Sequence, residues 1–316
     1  MKVAERWNPS FFYLRAGVRQ GVADEGIVTA PPMSKQDLRE RAFRTLNQLP
    51  PFSPTLSRLL ASLAKEDVFL KEIATIIEKD TVLTGHVLKL VNSALYARSG
   101  TINSVRHAVS ILGLNKLRNV ALSLSVARMW KMVKTPKTWP QGAFNLHSVA
   151  TAVMADQLAQ RVRVRYPEGA FTAGLLHAVG KLMIAIGLPE HYDMILATYQ
   201  GSSELTMEEA EYFHIGCRHT ELGAAALGEW KLPADIQRAV GNQSGGSGEE
   251  DGEMDLGGLL LVAHKVVNRL GVMIPACASL TEGTAEEVLA EAGLKEEAGR
   301  ILLEFQNEFG AMRAFF

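Results

Sequence analysis

Hydrophobic positions recur at intervals of three and four along most of the chain, and no stretch alternates apolar and polar residues over several positions. That pattern predicts an all-α fold. Leu56, Leu59, Leu60 and Leu63 mark a helix over 54–65, with Ser53 as its N-cap and Pro54 in its first turn. Asp67 is read as the cap of the next helix, whose stripe is Ile73, Ile76 and Ile77. Val82, Leu83, Val87, Leu88, Leu90 and Val91 form a third. A fourth runs from Ser104 to Leu112 and stops at Gly113, and a longer one follows through Leu114, Leu117, Val120, Leu124 and Met129. Further helices fit 143–163, 169–187, 189–200, 206–214, 218–229, 233–241 and 256–270, with a final pair at 284–292 and 295–309.

Two breaks punctuate this pattern. Residues 134–142, KTPKTWPQG, hold two prolines and a glycine and read as a linker. Residues 243–255 are glycine-rich and acidic and read as a mobile loop. The chain then divides into an extension (1–33) carrying an apolar cluster of Trp7, Phe11, Phe12, Tyr13 and Leu14, an N-terminal helical unit (34–135), a second helical bundle (143–275) and C-terminal helices (276–316).

Composition narrows the class. With 316 residues and 47% hydrophobic side chains the chain can bury a sizeable core, which excludes disorder as its main state. The most apolar runs, near 174–188 and 257–263, are cut by His177 and Lys181 or end at His264, so no membrane span is expected. The first residues lack the pattern of a secretory leader, and two cysteines, Cys217 and Cys277, build no disulfide framework. A cytoplasmic location with reduced thiols is the expectation. The net charge of −1 conceals an asymmetry: residues 1–135 carry 20 Lys and Arg against 10 Asp and Glu, and residues 136–316 carry 13 against 24. No carboxylate occurs between Asp80 and Asp156. Lys89, Arg98, Arg106, Lys116, Arg118, Arg128, Lys131 and Lys134 lie in that window, a candidate surface for an anion or an acidic partner, nucleic acid included.

The candidate chemistry lies in the second bundle. His147, His177, His219 and His264 each sit in an apolar helical context, where side chains from facing helices can converge. Isolated core histidines held by hydrogen bonds are the plainer reading. Motifs for phosphate-cradling loops, nucleophile elbows and paired cysteines are absent.

Leu175-Leu176-His177-Ala178-Val179-Gly180-Lys181 resembles the LLHDxGK element of the HD superfamily of metal-dependent phosphohydrolases. Asp80, Leu83, Leu88, Leu90, Asn92, Ser93, Ala94, Tyr96, Ala108, Leu112 and Gly113 match the N-terminal pattern of the HDOD (HD-related output) domain, with Thr81 where proline is usual. The likeness runs over about 45–275. It implies an N-terminal helical unit packed on a degenerate HD-type bundle. It maps the family's first histidine onto His147, a later element onto His219-Thr220-Glu221-Leu222-Gly223, a histidine pair onto Asn242-Gln243 and the terminal aspartate onto about His264.

The departures carry the functional expectation. Hard divalent ions need carboxylate oxygens, and Ala178 has none to give. His264 or Lys265 replaces the terminal aspartate. The chain is therefore expected not to be an enzyme. It is read as a bacterial-type signalling output module that binds a protein partner or small ligand. Nucleic-acid or nucleotide binding through 81–155 is the alternative, and metal-dependent phosphohydrolysis ranks third. No cofactor is expected beyond a residual transition metal (zinc, nickel or iron) on His147, His177, His219 and His264, which stands as the alternative to plain core histidines.

Overall fold

The computed structural model describes residues 33–64, 70–93, 101–202, 205–243, 253–274 and 283–316. The expectations placed on 1–32, Asp67, Arg98, Cys277 and residues 244–252 of the acidic loop lie outside them.

The expected all-α fold is borne out. Among the described residues, extended pairing is confined to one bridge between Val164 and Met254. Five helices build the N-terminal layer: α2 (Pro54–Ala61), α3 (Leu70–Glu78), α4 (Thr81–Val91), α5 (Val105–Leu112) and α6 (Leu114–Lys131). Their starts are set by side chains. Ser53, Asp80 and Ser104 each accept a hydrogen bond from a first-turn amide, which satisfies a donor the helix itself leaves free. Gly113, at φ +77°, ends α5 and starts α6 in a conformation that glycine adopts without strain. Asn92 closes the layer: its amide donates to Leu88 O and Ile102 O, and its oxygen accepts from Ile102 N, all at 2.8 Å. α6 is buried on nearly every face and touches the second bundle as well as its own layer.

That bundle contains α7 (Gln141–Ala159), α8 (Ala170–Leu176), α9 (Val179–Gly187), α10 (Pro189–Gln200), α11 (Met207–Ile215), α12 (His219–Glu229), α13 (Ala234–Gly241) and α14 (Leu256–Arg269). α7 packs on α8 and α14, and α12 packs on α9 and α13. The predicted helix over 169–187 is broken at His177 and Ala178 into α8 and α9. Pro167–Gly187 is apolar and long enough for a membrane crossing by length and composition, yet its most apolar window is 94% buried within this fold. α15 (Ala285–Glu291) follows α14, and α16 (Ala298–Met312) lies on α7.

One helix has no counterpart in the hydrophobic pattern. α1 (Lys35–Arg44) is capped by a reciprocal pair, Ser34 and Asp37, and buries only Leu38 and Ala42. It docks on α9, α11 and α12, so residues 34–44 pack against the second bundle although they precede the first layer in sequence. Arg39 fixes it, donating to Gly216 O at 3.0 Å and pairing with Glu221 at 3.0 Å. The segment read as a linker is also built into the core. Trp139 is 5% exposed, with its ring 5.1 Å from Phe144 and 5.4 Å from Tyr192. Trp130 lies 6.2 Å from both Phe144 and Trp230, so aromatic contact spans the junction of the two units.

Candidate metal centre

Three helical segments bring His147, His177 and His264 together. His147 projects from the middle of α7, His177 occupies the break between α8 and α9, and His264 projects from α14. Small residues permit the approach. A Cβ on Gly174 would lie 2.6 Å from the Ala152 backbone, so only glycine there lets α8 sit directly against α7. The ring centroids form a nearly equilateral triangle with sides of 4.9, 5.1 and 5.2 Å. One ring nitrogen from each histidine lies within 4.8 Å of the others.

The ring protons of two of them are assigned by their neighbours. His147 Nδ1 is 2.7 Å from Val272 O, and His177 Nδ1 is 2.7 Å from Gly174 O. A carbonyl oxygen only accepts, so each Nδ1 carries the proton and donates it. In the neutral rings both Nε2 atoms are then acceptors, and they face each other at 3.0 Å. Burial holds all three histidines toward the neutral form. It pushes His147 down to about 3, with the Lys181 charge adding to the effect. His177 and His264 also lie well below the usual histidine range, first through desolvation and then through their neighbours.

His219 is a correction to the predicted ligand set. It opens α12, and both its backbone N–H and its Nδ1 lie 2.7 Å from Glu211 Oε2. Glu211 is fully buried, although the run Glu208-Glu209-Ala210-Glu211 reads as a solvated face. Its carboxylate ties His219 into the packing of α11 against α12, and the group of converging nitrogens comprises His147, His177 and His264. The only sequence signal for this pair was a glutamate eight residues before a histidine. Lys181, the lysine of the HD-like element, is buried and donates to Ile274 O at 3.0 Å. Desolvation lowers its pKa, and the charges of Glu211 and Glu208 oppose that effect. Gln243 is buried and donates to His177 O at 3.0 Å, bracing the break between α8 and α9 from the end of α13. Cys217 is a buried free thiol pushed up to about 12, which takes it out of nucleophilic and ligand chemistry.

Part of the candidate basic surface is engaged within the molecule. Arg118 is 7% exposed and belongs to the interior, where the charges of Asp156 and Glu168 support it. Lys116 pairs with Glu308 at 3.3 Å, Arg128 with Asp80 at 2.7 Å and Arg106 with Glu78 at 3.9 Å. Lys89 lies over the Phe315 ring at 5.6 Å. Carboxylates from outside the window thus meet part of its charge, and Lys89, Arg106, Arg128, Lys131 and Lys134 are exposed.

A break inside an apolar helix pair, with a histidine at its corner and Gly180-Lys181 immediately after, is the structural form of the HD-like element. The family model for the HDOD domain matches residues 49–245. The chain belongs to the HDOD family. Among solved structures, an HDOD domain protein of unknown function from Geobacter sulfurreducens superposes with a TM-score of 0.67 at 22% identity, covering 89% of this chain and 97% of that one. A provisionally named signal transduction protein from Marinobacter aquaeolei VT8 gives 0.68 at 21% identity, covering 88% of this chain and 65% of that one. A provisionally named phosphohydrolase from Shewanella amazonensis SB2B gives 0.66 at 22%, with 87% and 97% covered. An uncharacterized protein of Treponema pallidum (strain Nichols) is 24% identical over 198 residues, which are 62% of this chain and 37% of that protein's length. These likenesses establish the HDOD fold.

The paired hard cations of the HD hydrolases do not fit the side chains present. The converging donors are imidazole nitrogens, and Ala178, fully buried beside His177, stands where the bridging aspartate belongs. Three neutral rings offset none of the charge of two divalent ions.

Proposed function

We propose that this HDOD protein is a non-catalytic signalling output module that acts by binding a protein partner or a small ligand. The observation that carries the reading is Ala178: the position that would ligate or bridge the metals of a phosphohydrolase holds a methyl group enclosed by the bundle. Metal-assisted hydrolysis needs a cation to polarise phosphate and to lower the pKa of a water. The side chains here supply no carboxylate with which to hold a pair of such ions. Two of the residues matching the HDOD pattern, Asp80 and Asn92, cap helices and staple loops, and so support a scaffold role.

The test is phosphate or nucleotide release by the purified chain with Mg²⁺ or Mn²⁺, using phosphomonoesters, nucleotides and cyclic dinucleotides. The expected result is no turnover above background, both for the natural sequence and for Ala178→Asp, because His264 still stands in place of the second carboxylate. Turnover by the natural sequence that His177→Ala abolishes would overturn the reading. Nucleic-acid binding through 81–155 draws less support, since Arg118 is interior and Lys116, Arg106 and Arg128 are already paired. Binding that weakens steeply with salt would revive it.

A further inference from the structure

We propose that His147, His177 and His264 form a mononuclear site for a borderline transition-metal ion of the zinc class, with one coordination position left open. This deepens the non-catalytic reading by naming a ligand for the degenerate centre. It also departs from the resemblance, which implies carboxylate-bound paired ions.

The proposal begins with proton placement. Val272 O and Gly174 O fix the ring protons of His147 and His177 on Nδ1. That arrangement is the usual outer shell of a metal-bound histidine: the distal N–H donates to a carbonyl and the other nitrogen keeps its lone pair for the ion. It also leaves two lone pairs pointing at each other across 3.0 Å with no hydrogen between them. A cation placed between the nitrogens turns that repulsion into attraction. A shared proton would serve those two nitrogens and leave His264 without a role. A metal ion uses all three.

Geometry and ligand type point the same way. Three nitrogens each ~2.0–2.1 Å from a tetrahedral zinc lie about 3.4 Å from one another. The three nitrogens here already fall within 4.8 Å, with one pair at 3.0 Å, so modest side-chain rotation closes the site. His264 is less fully enclosed than His147 and His177. Imidazole donors favour zinc, cobalt, nickel and copper over magnesium or manganese. Glu211 and Glu208 offset the nearby Lys181 charge, which would otherwise oppose a dication. The elements tied together are α7, the α8–α9 corner and α14. The segment after α14 joins them, because its carbonyls at 272 and 274 receive His147 and Lys181.

The test uses the full chain, stripped with chelator and titrated with Co²⁺. The expected result is one equivalent bound, with the intense visible bands of four-coordinate cobalt, displaced by Zn²⁺ and indifferent to excess Mg²⁺. His264→Ala should weaken binding by more than the ~10–100-fold that loss of a second-shell partner alone costs. His264→Asn serves as the gentler variant, and circular dichroism confirms that each is folded. His214→Ala removes a histidine held by Thr198, outside the cluster, and should bind cobalt like the natural chain. Absence of the bands, or bands that survive in folded His264 variants, would overturn the proposal. Phosphate release by the cobalt-loaded protein would sink the non-catalytic reading and leave the metal site standing, so the two failures are distinguishable.

Discussion

His219 and the cluster of His147, His177 and His264 belong to one bundle, and a resemblance to a single family pointed to all four. Their partners differ. His147 and His177 give their Nδ1 protons to backbone carbonyls, which orients the rings and leaves Nε2 uncommitted. His219 meets a carboxylate with both its ring and its backbone amide, and that pair is closed on itself. The comparison teaches that a buried histidine's role follows from where its free nitrogen lies, whichever acceptor holds the other one. In His147, His177 and His219 alike an Nδ1 proton is given away and Nε2 stays free, so what separates them is placement: the nitrogens of His147, His177 and His264 converge within 4.8 Å, whereas His219 also has its backbone amide held by Glu211 at the start of α12.

Removing the carboxylate is the severest way to break the comparison. Glu211→Ala leaves two donors of His219 buried without an acceptor, and should cost about 3–5 kcal/mol of unfolding free energy. Glu211→Gln keeps one acceptor oxygen and should cost less. Urea unfolding at constant m-value measures both. A loss under about 1 kcal/mol in the alanine variant would mean the pair is not structural. Next comes Gly180→Ala, at about 2–3 kcal/mol. Its added methyl would lie 1.8 Å from His219 O, so α9 must back away from α12 and the two histidine groups separate. A thermal midpoint equal to that of the natural chain would show that the contact gives way freely.

Titration sharpens the contrast at the far end of α7. Asp156 is pushed up to about 6 by burial and by Glu308, against an ordinary value of 3.8. The folded state therefore holds this proton more tightly than the unfolded one. Its stabilising contribution is full below about pH 4 and is lost as pH rises through 6, on the order of 3 kcal/mol. Asp156→Asn should flatten that part of the stability-versus-pH curve, and an unchanged slope between pH 4 and 6.5 would refute the assignment. The smallest effect belongs to His264→Ala without metal. At a partly exposed position with no carboxylate partner, it should shift stability by less than about 1 kcal/mol. A large loss would place His264 with His219 as a structural residue.

Much of the architecture was legible for physical reasons that particular residues display. Ser53, Ser104 and Gly113 announce helix ends through caps and backbone freedom, and the apolar stripes between them needed no tertiary information. The break at His177 was hidden because Leu175 through Leu182 stays buried on both sides of it, so hydrophobicity carries no mark of the corner. Within the site, the resemblance found His147, His177 and His264. It had no means of locating Glu211, or the carbonyls of Gly174, Val272 and Ile274, since backbone acceptors carry no sequence signature. Arg118 misled for a related reason: its compensating carboxylates, Asp156 and Glu168, lie beyond the window in which its charge was counted.

The docking of α1 sets a timetable for the chain's emergence from the ribosome. Arg39 binds Gly216 O, 177 residues further along. At ~5–20 residues per second, α1 waits roughly 10–35 s for its docking surface to be made. A helix that must wait in water is best made polar, and KQDLRERAFR buries only Leu38 and Ala42 fully, with Phe43 packed partly buried against the core. Its capping box and the Arg44–Glu40 pair give it local support meanwhile. Closing so long a loop for so little buried apolar surface makes α1 late to dock on α9, α11 and α12. By the same reasoning it should open in the native state more readily than α6 and α7, its amides exchanging with solvent ahead of theirs.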